Sequence, residues 1–223
     1  MADPAMTGGR QALGRIALGL LVTGELIQLG AILWGGAVYP GYDHVRQHIS
    51  ELGATGAVTG PAVSWWGFVP SGLFMGGFCL IAAWLLRRSG LAVTACLLLG
   101  WYGLSLSGAG VYPCAFECAR SEITFNAMMH DLVGGTGYLT GIIGMGLAGL
   151  WARHGRASWL APLGAICVVI AMVGFGAIIV EAEMGGLFQR GLEGAIAVFL
   201  LAFGWALARG RLTPPAAQAA AGS

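Results

Sequence analysis

Six apolar stretches, each long enough to cross a bilayer, leave this chain little room for anything else. They run over residues 16–37, 64–86, 91–112, 131–151, 158–180 and 189–208. A spanning helix needs roughly 20 apolar residues at a rise of about 1.5 Å each. Inside lipid every backbone N–H and C=O needs an internal partner, so only helices and closed barrels cross. The stretches are continuous and lack the ~10-residue alternation of barrel strands, so helices are predicted. Of 223 residues, 57% are hydrophobic and 9% charged, against about 25% charged in soluble domains. The expected fold is all-α: a polytopic membrane bundle of six transmembrane helices forming one domain over residues 1–223. Its core covers about 15–208. Both ends read as disordered tails, the Pro- and Ala-rich stretch from Thr213 included.

The charges are sided. Every basic residue other than histidine is Arg. Arg10 and Arg15 precede the first span, Arg87 and Arg88 follow the second, Arg153 and Arg156 the fourth, Arg209 and Arg211 the sixth. Only Arg46, Arg120 and Arg190 fall on the other side. Cytoplasmic loops are enriched in Arg and Lys, so both termini are expected on the cytoplasmic side. Asp43, Glu51, Glu117, Glu122, Asp131, Glu181, Glu183 and Glu193 then lie outside or near it. The first span follows a basic segment, as a signal peptide does. However, Glu25 interrupts the run and no small-residue cleavage site follows, so an uncleaved helix is expected. The arginines mark topology and form no patch, so nucleic acid is not an expected partner. Membrane lipids are, with another envelope protein as a further candidate.

The first outer loop carries most of the polar chemistry. Asp43 suits a helix start and Gly53 a left-handed helix end. Between them Val45, Ile49 and Leu52 fall at i, i+4 and i+7, the apolar stripe of a short amphipathic interfacial helix. His44, His48 and Glu51 share that spacing. Two imidazoles and a carboxylate on one face suit Zn²⁺, and a solvated helix face is the plainer alternative. No cofactor motif is present and none is expected, Zn²⁺ being the one ion these residues would suit. The second outer loop holds Cys114 and Cys118, while Cys79, Cys96 and Cys167 sit inside spans. On an oxidising face the loop pair favours a disulfide, with a thiolate metal pair as the alternative.

His130 and Asp131 open the fourth span. Gly134, Gly137, Gly141, Gly144 and Ala148 follow within about 40° of His130 on a helix of 100° per residue. Small residues allow close helix approach, so His130 heads a packed face. It is either functional or satisfied by a carbonyl or carboxylate at a helix junction. If it meets the first outer loop, His44, His48 and His130 become the candidate metal ligands. Glu25, near the middle of the first span, should face the bundle, as a proton relay or as a neutral hydrogen-bonding group. Arg190 and Glu193, with Glu181 and Glu183 in the last outer loop, are i, i+3 neighbours and suit a simple pair. Pro70, followed by Ser71 and Gly72, should kink the second span near its outer third.

Tyr42-Asp-His-Val-Arg-Gln-His-Ile-Ser-Glu-Leu-Gly-Ala54, Ser107-Gly-Ala-Gly-Val-Tyr-Pro-Cys114 and the His130-Asp131 pair resemble the signatures of the bacterial membrane proteins grouped as domain of unknown function 998. The resemblance covers roughly residues 15 to 208. It implies six spans and no established activity, so no catalytic residue is carried over from it. Ala115 stands where such proteins often have Asp after the first Cys. The Ile-Ser-Glu-Leu-Gly element, with Pro61 after it, is also distantly similar to the Frag and damage-regulated-autophagy-modulator group. That group includes a eukaryotic factor in lipid remodelling of glycosylphosphatidylinositol anchors.

Three functions fit these residues. The first is a non-enzymatic envelope protein: a sensor, chaperone or partner whose polar loops are contact surfaces. The second is an enzyme acting on a lipid or lipid-linked group at the outer leaflet. Its candidate catalytic cluster is His44, His48, Glu51, His130 and Asp131, with a histidine as general base or a metal-activated water. The third is a small proton-linked transporter resting on Glu25 and Pro70.

Overall fold

A computed structural model of the chain describes residues 4–119, 121 and 123–212. The helices are α1 (Pro4–Val38), α2 (Gly60–Leu85), α3 (Gly90–Val111), α4 (Phe125–Ala152), α5 (Leu160–Ile179) and α6 (Gly185–Ala208). Among the described residues these six are long and apolar enough to cross a membrane, and no strand occurs. The tail from Thr213, Arg120 and Glu122 lie outside the described residues. The N-terminal tail is a correction: the chain is helical from Pro4. Proline fits a first helical position, and Met6, Gln11, Ala12 and Leu13 are good helix formers.

Polar caps set two of the helix starts. Ser89 Oγ accepts from the Ala92 N–H at 3.4 Å, and Thr124 Oγ1 from that of Ala127 at 3.1 Å. Each satisfies an N–H that the first turn leaves without an intrahelical acceptor. The α4 cap lies earlier than the hydropathy indicates, so His130 and Asp131 sit inside the helix rather than at its opening.

Each helix packs against its neighbours in sequence, and α6 returns to α1, closing a ring. Small residues fix the close approaches. A Cβ on Gly72 of α2 would stand 2.3 Å from the Gly103 carbonyl oxygen of α3. The α4 stripe does the same work. Gly137 meets Ser105, Gly141 meets Tyr102 and Gly144 meets Leu99, while Gly134 faces open space. Phe78, Phe199, Phe203, Leu21 and Met75 fill the interior. Leu26, Leu33, Leu80, Ile166 and Val169 are exposed on the outside, as lipid-facing surfaces require.

α2 is irregular where Pro70 makes it so. Pro70 has no N–H to offer the residue four before it, and its ring crowds that carbonyl. The helix widens to a π turn over Val63–Phe68, and the Val69 N–H reaches back to Ser64 O. Ser71 and Ser107 hydroxyls donate to Gly67 O and Val69 O, each at 2.7 Å. At one end of the bundle arginines gather on indole rings. Arg87 lies 4.5 Å and Arg10 6.0 Å from the Trp84 ring centre, and Arg211 lies 4.6 Å from that of Trp205. Arg10 also donates to Leu85 O. Such pairs hold the charge at the water boundary with the stem on apolar surface.

Candidate functional site

The loop between α1 and α2 does not form the helix its spacing predicts. Asp43 Oδ1 accepts from the Val45 N–H at 2.8 Å and the Arg46 N–H at 3.4 Å, a local turn. These bonds hold the exposed Asp43 carboxyl below its ordinary pKa, that from Val45 most of all. The next carbonyls are then diverted. Arg46 O accepts from the Gly186 N–H at 3.1 Å and Val45 O from the Leu187 N–H at 2.9 Å. They satisfy the open first turn of α6 instead of continuing a helix. Only a 3₁₀ turn, Ile49–Gly53, remains. Gly53 takes no left-handed conformation, and the chain leaves through extended Ala54. The expected apolar stripe is split: Ile49 and Leu52 are 3% and 0% exposed, whereas Val45 is 44% exposed.

The polar stripe is split too. Glu51 accepts from the His48 N–H at 2.7 Å and from Gln47 Nε2 at 2.8 Å, with His48 Nδ1 at 3.6 Å. Burial opposes ionisation of Glu51, yet the hydrogen bonds from His48 and Gln47 together outweigh it and hold its pKa below the ordinary value. His44 turns away, its Nδ1 lying 3.0 Å from Arg190 Nη2.

Arg190 and Glu193 are not a pair, contrary to their spacing. Arg190 donates to the Tyr42 hydroxyl at 2.8 Å, Gln47 O at 3.0 Å and Gly186 O at 2.9 Å. Among the described residues it has no carboxylate partner. Burial raises the Tyr42 pKa, and Arg190 opposes that shift. Glu193 points the other way. It accepts from the Tyr138 hydroxyl at 2.8 Å, from Gln28 Nε2 at 3.3 Å and from the Tyr102 hydroxyl. Gln189 donates to Tyr138 at 2.7 Å and accepts from the Ile49 N–H at 2.6 Å. One chain of hydrogen bonds thus ties the first loop to the interior carboxylate. The hydropathy boundary at 189 leaves Arg190 and Glu193 in the first turn of the span, beside the last outer loop. They belong to α6, which starts at Gly185, before the apolar run begins.

Between α1, α6 and this loop lies a cavity of about 430 Å³. Its walls are apolar, with Leu29, Ile32, Leu33, Ile49 and Ala197. Arg190 and His44 line it, and so do Glu25, Gln28 and Glu193. Glu25 therefore does face the bundle. The sequence signal for this site was present in part: Glu25 stood out, whereas Tyr102, Tyr138 and Gln189 looked like ordinary span residues.

His130 belongs to a different place. Its Nδ1 lies 2.9 Å from Tyr112 O and 3.3 Å from Ala109 O, carbonyls at the end of α3. Cys114 and Cys118 form a disulfide, with Cα atoms 5.0 Å apart. Thr55 N–H donates to Cys114 O at 2.9 Å, and Cys118 Sγ lies 3.3 Å from Ser50 Oγ. The bridge thereby pins the second loop to the first. Glu117 and Cys118 both adopt left-handed φ, 55° and 49°, a conformation costing a non-glycine residue roughly 1–2 kcal/mol. The proposed set of His44, His48 and His130 is not assembled. Among the described residues, the group of His, Cys, Asp and Glu close enough to share an ion is Cys114, Cys118 and His130. Asp131 lines a small cavity beside those cysteines and joins neither His44 nor His48 there.

No curated protein and no solved structure matches the chain. A family model does match, over residues 10–206, with the description Protein of unknown function (DUF998). With that match covering most of its length and all six spans, the chain belongs to the DUF998 family.

Proposed function

We propose that the protein is a lipid-responsive sensor or partner of the bacterial inner membrane. In this reading it receives an anionic amphiphile between α1 and α6. The observation that carries it is a guanidinium with no ion-paired carboxylate among the described residues, on a cavity whose walls are mostly apolar and whose carboxylates, Glu25 and Glu193, do not pair with it. Arg190 hydrogen-bonds only neutral groups among the described residues, beside His44 and the Leu29, Ile32 and Leu33 wall. Guanidinium binds phosphate and carboxylate oxygens through paired N–H donors. A cavity of about 430 Å³ suits one acyl chain and part of a headgroup, within the ~300–1,000 Å³ usual for small ligands. Exposed Leu29 and Leu33 give the cavity an apolar border toward lipid. The loop face is outward and both termini are cytoplasmic, as the arginine distribution argues.

The test is lipid retention by the delipidated full-length protein, read by native mass spectrometry. Phosphatidylglycerol should be retained in preference to phosphatidylcholine, and Arg190→Gln should weaken retention about 10–100-fold, the equivalent of a charge-assisted hydrogen bond of ~1.5–3 kcal/mol. Equal retention of the two lipids, or no effect of Arg190→Gln, overturns the reading. The orientation has its own check. Reporter fusions after Ser89 should read cytoplasmic and those after Thr59 periplasmic.

A second reading rests on Glu25 and Glu193 lining the same cavity. Two carboxylates beside a bound lipid suit general acid–base chemistry on its headgroup. Turnover of a bound lipid that disappears in Glu25→Gln, with retention intact, would favour this enzymatic reading.

A further inference from the structure

The disulfide is half of a second site, independent of the amphiphile cavity. The Cys114 and Cys118 sulfurs and a ring nitrogen of His130 lie within 4.8 Å of one another. His130 is anchored through its other side of the ring chemistry. A carbonyl oxygen can only accept, so the contacts to Tyr112 O at 2.9 Å and Ala109 O at 3.3 Å place the proton on Nδ1. The lone pair then resides on Nε2. Metal-binding imidazoles use the same device: one nitrogen donates to a carbonyl and fixes the tautomer in which the other is a ligand. Asp131 lines a cavity of about 70 Å³ with both cysteines but lies outside the group close enough to share an ion. Two thiolates and an imidazole nitrogen are Zn²⁺ donors, with water completing the coordination. Sulfurs bonded to each other supply no thiolate.

We propose that Cys114, Cys118 and His130 form a redox-gated metal site, closed as the disulfide and binding one Zn²⁺-class ion as the dithiol. The reductant is a thiol, low-molecular-weight or protein-borne. Its thiolate attacks one cysteine sulfur, breaking the Cys114–Cys118 bond and releasing the other cysteine as thiolate. A second thiol resolves the mixed disulfide, so the reductant leaves as its own disulfide and both cysteines are reduced. The ion then displaces the two thiol protons and forms two metal–sulfur bonds and one metal–nitrogen bond, with no further electron transfer.

The experiment uses full-length protein in detergent, reduced with dithiothreitol and desalted without oxygen. Denatured thiol counts should rise from three to five, because Cys79, Cys96 and Cys167 are already free. Co²⁺ is the probe. Reduced protein should bind one Co²⁺ with a thiolate-to-cobalt charge-transfer band, and Zn²⁺ should displace it. Unreduced protein should show no such band. His130→Ala should weaken binding at least about tenfold, since loss of a group that tunes a metal site typically costs 10–100-fold. A Cys114→Ser, Cys118→Ser variant should lose the band. If that variant does not fold, the wild type decides: Zn²⁺ should protect the two new thiols from maleimide. Reduced protein with five thiols and no cobalt band overturns the proposal. Equal alkylation with and without Zn²⁺ does so too, as does unchanged affinity in His130→Ala.

Discussion

Glu51 shows how much one side chain holds in place. It gathers the His48 N–H and Gln47 Nε2 at the turn where the first loop leaves α6, and it is nearly fully buried. Its pKa is lowered in the folded protein, burial being outweighed by those hydrogen bonds. The sign follows. The ionised form is favoured by folding, so its stabilisation is complete above the ordinary glutamate value of about 4.3. It is lost as pH falls below that value through the folded pKa. Glu51→Gln is expected to destabilise by about 1–3 kcal/mol at neutral pH, the range for a hydrogen-bonded charge. It should also flatten the loss of stability below about pH 4.3. Thermal unfolding in detergent across pH checks both. Glu51 was legible as a polar loop residue. His48 was legible as its neighbour on one polar face; the loss of His44 from that face was not, because it depends on Val45 and Arg46 giving their carbonyls to α6 rather than to a helix of their own.

At the scale of the element, close approach and irregularity follow different rules. A disturbance at Pro70 was legible, since a missing N–H disrupts any helix wherever it packs; its form, a π turn over Val63–Phe68, was not. The glycine stripe of α4 was legible as a face, but α3 as its partner was not. Gly72 and Gly134 separate the two ideas. A Cβ at Gly72 meets the α3 backbone, whereas at Gly134 it meets nothing within 4 Å. Gly72→Val should therefore cost about 1–3 kcal/mol by overpacking, read as a lowered unfolding temperature. Gly134→Ala should be neutral or slightly stabilising. Equal effects of the two would mean that backbone propensity, not packing, governs these glycines.

At the scale of the whole molecule, the cavity sits where α6 closes on α1, the contact between the two ends of the chain. Its apolar wall can be filled without disturbing the polar network. Ala197 lines the cavity, and Ala197→Trp should abolish phosphatidylglycerol retention while leaving the unfolding temperature within a few degrees of wild type. Unchanged retention would place the lipid elsewhere. The six spans and the sided arginines were legible in the sequence by itself, and the Cys114–Cys118 bridge was its favoured reading. The first two are properties of local composition read by a bilayer, and the third needs only a short loop. Tertiary structure alone decided the rest. Hydrogen bonds over 140 residues or more, from Ile49 to Gln189 and from Gln28 to Glu193, arise only when the ring of helices closes. That closure turned Arg190 and Glu193 from apparent partners into two separate groups on one cavity, because Tyr42 and Gln47 of the first loop accept from Arg190 while Tyr138, Tyr102 and Gln28 of other helices donate to Glu193.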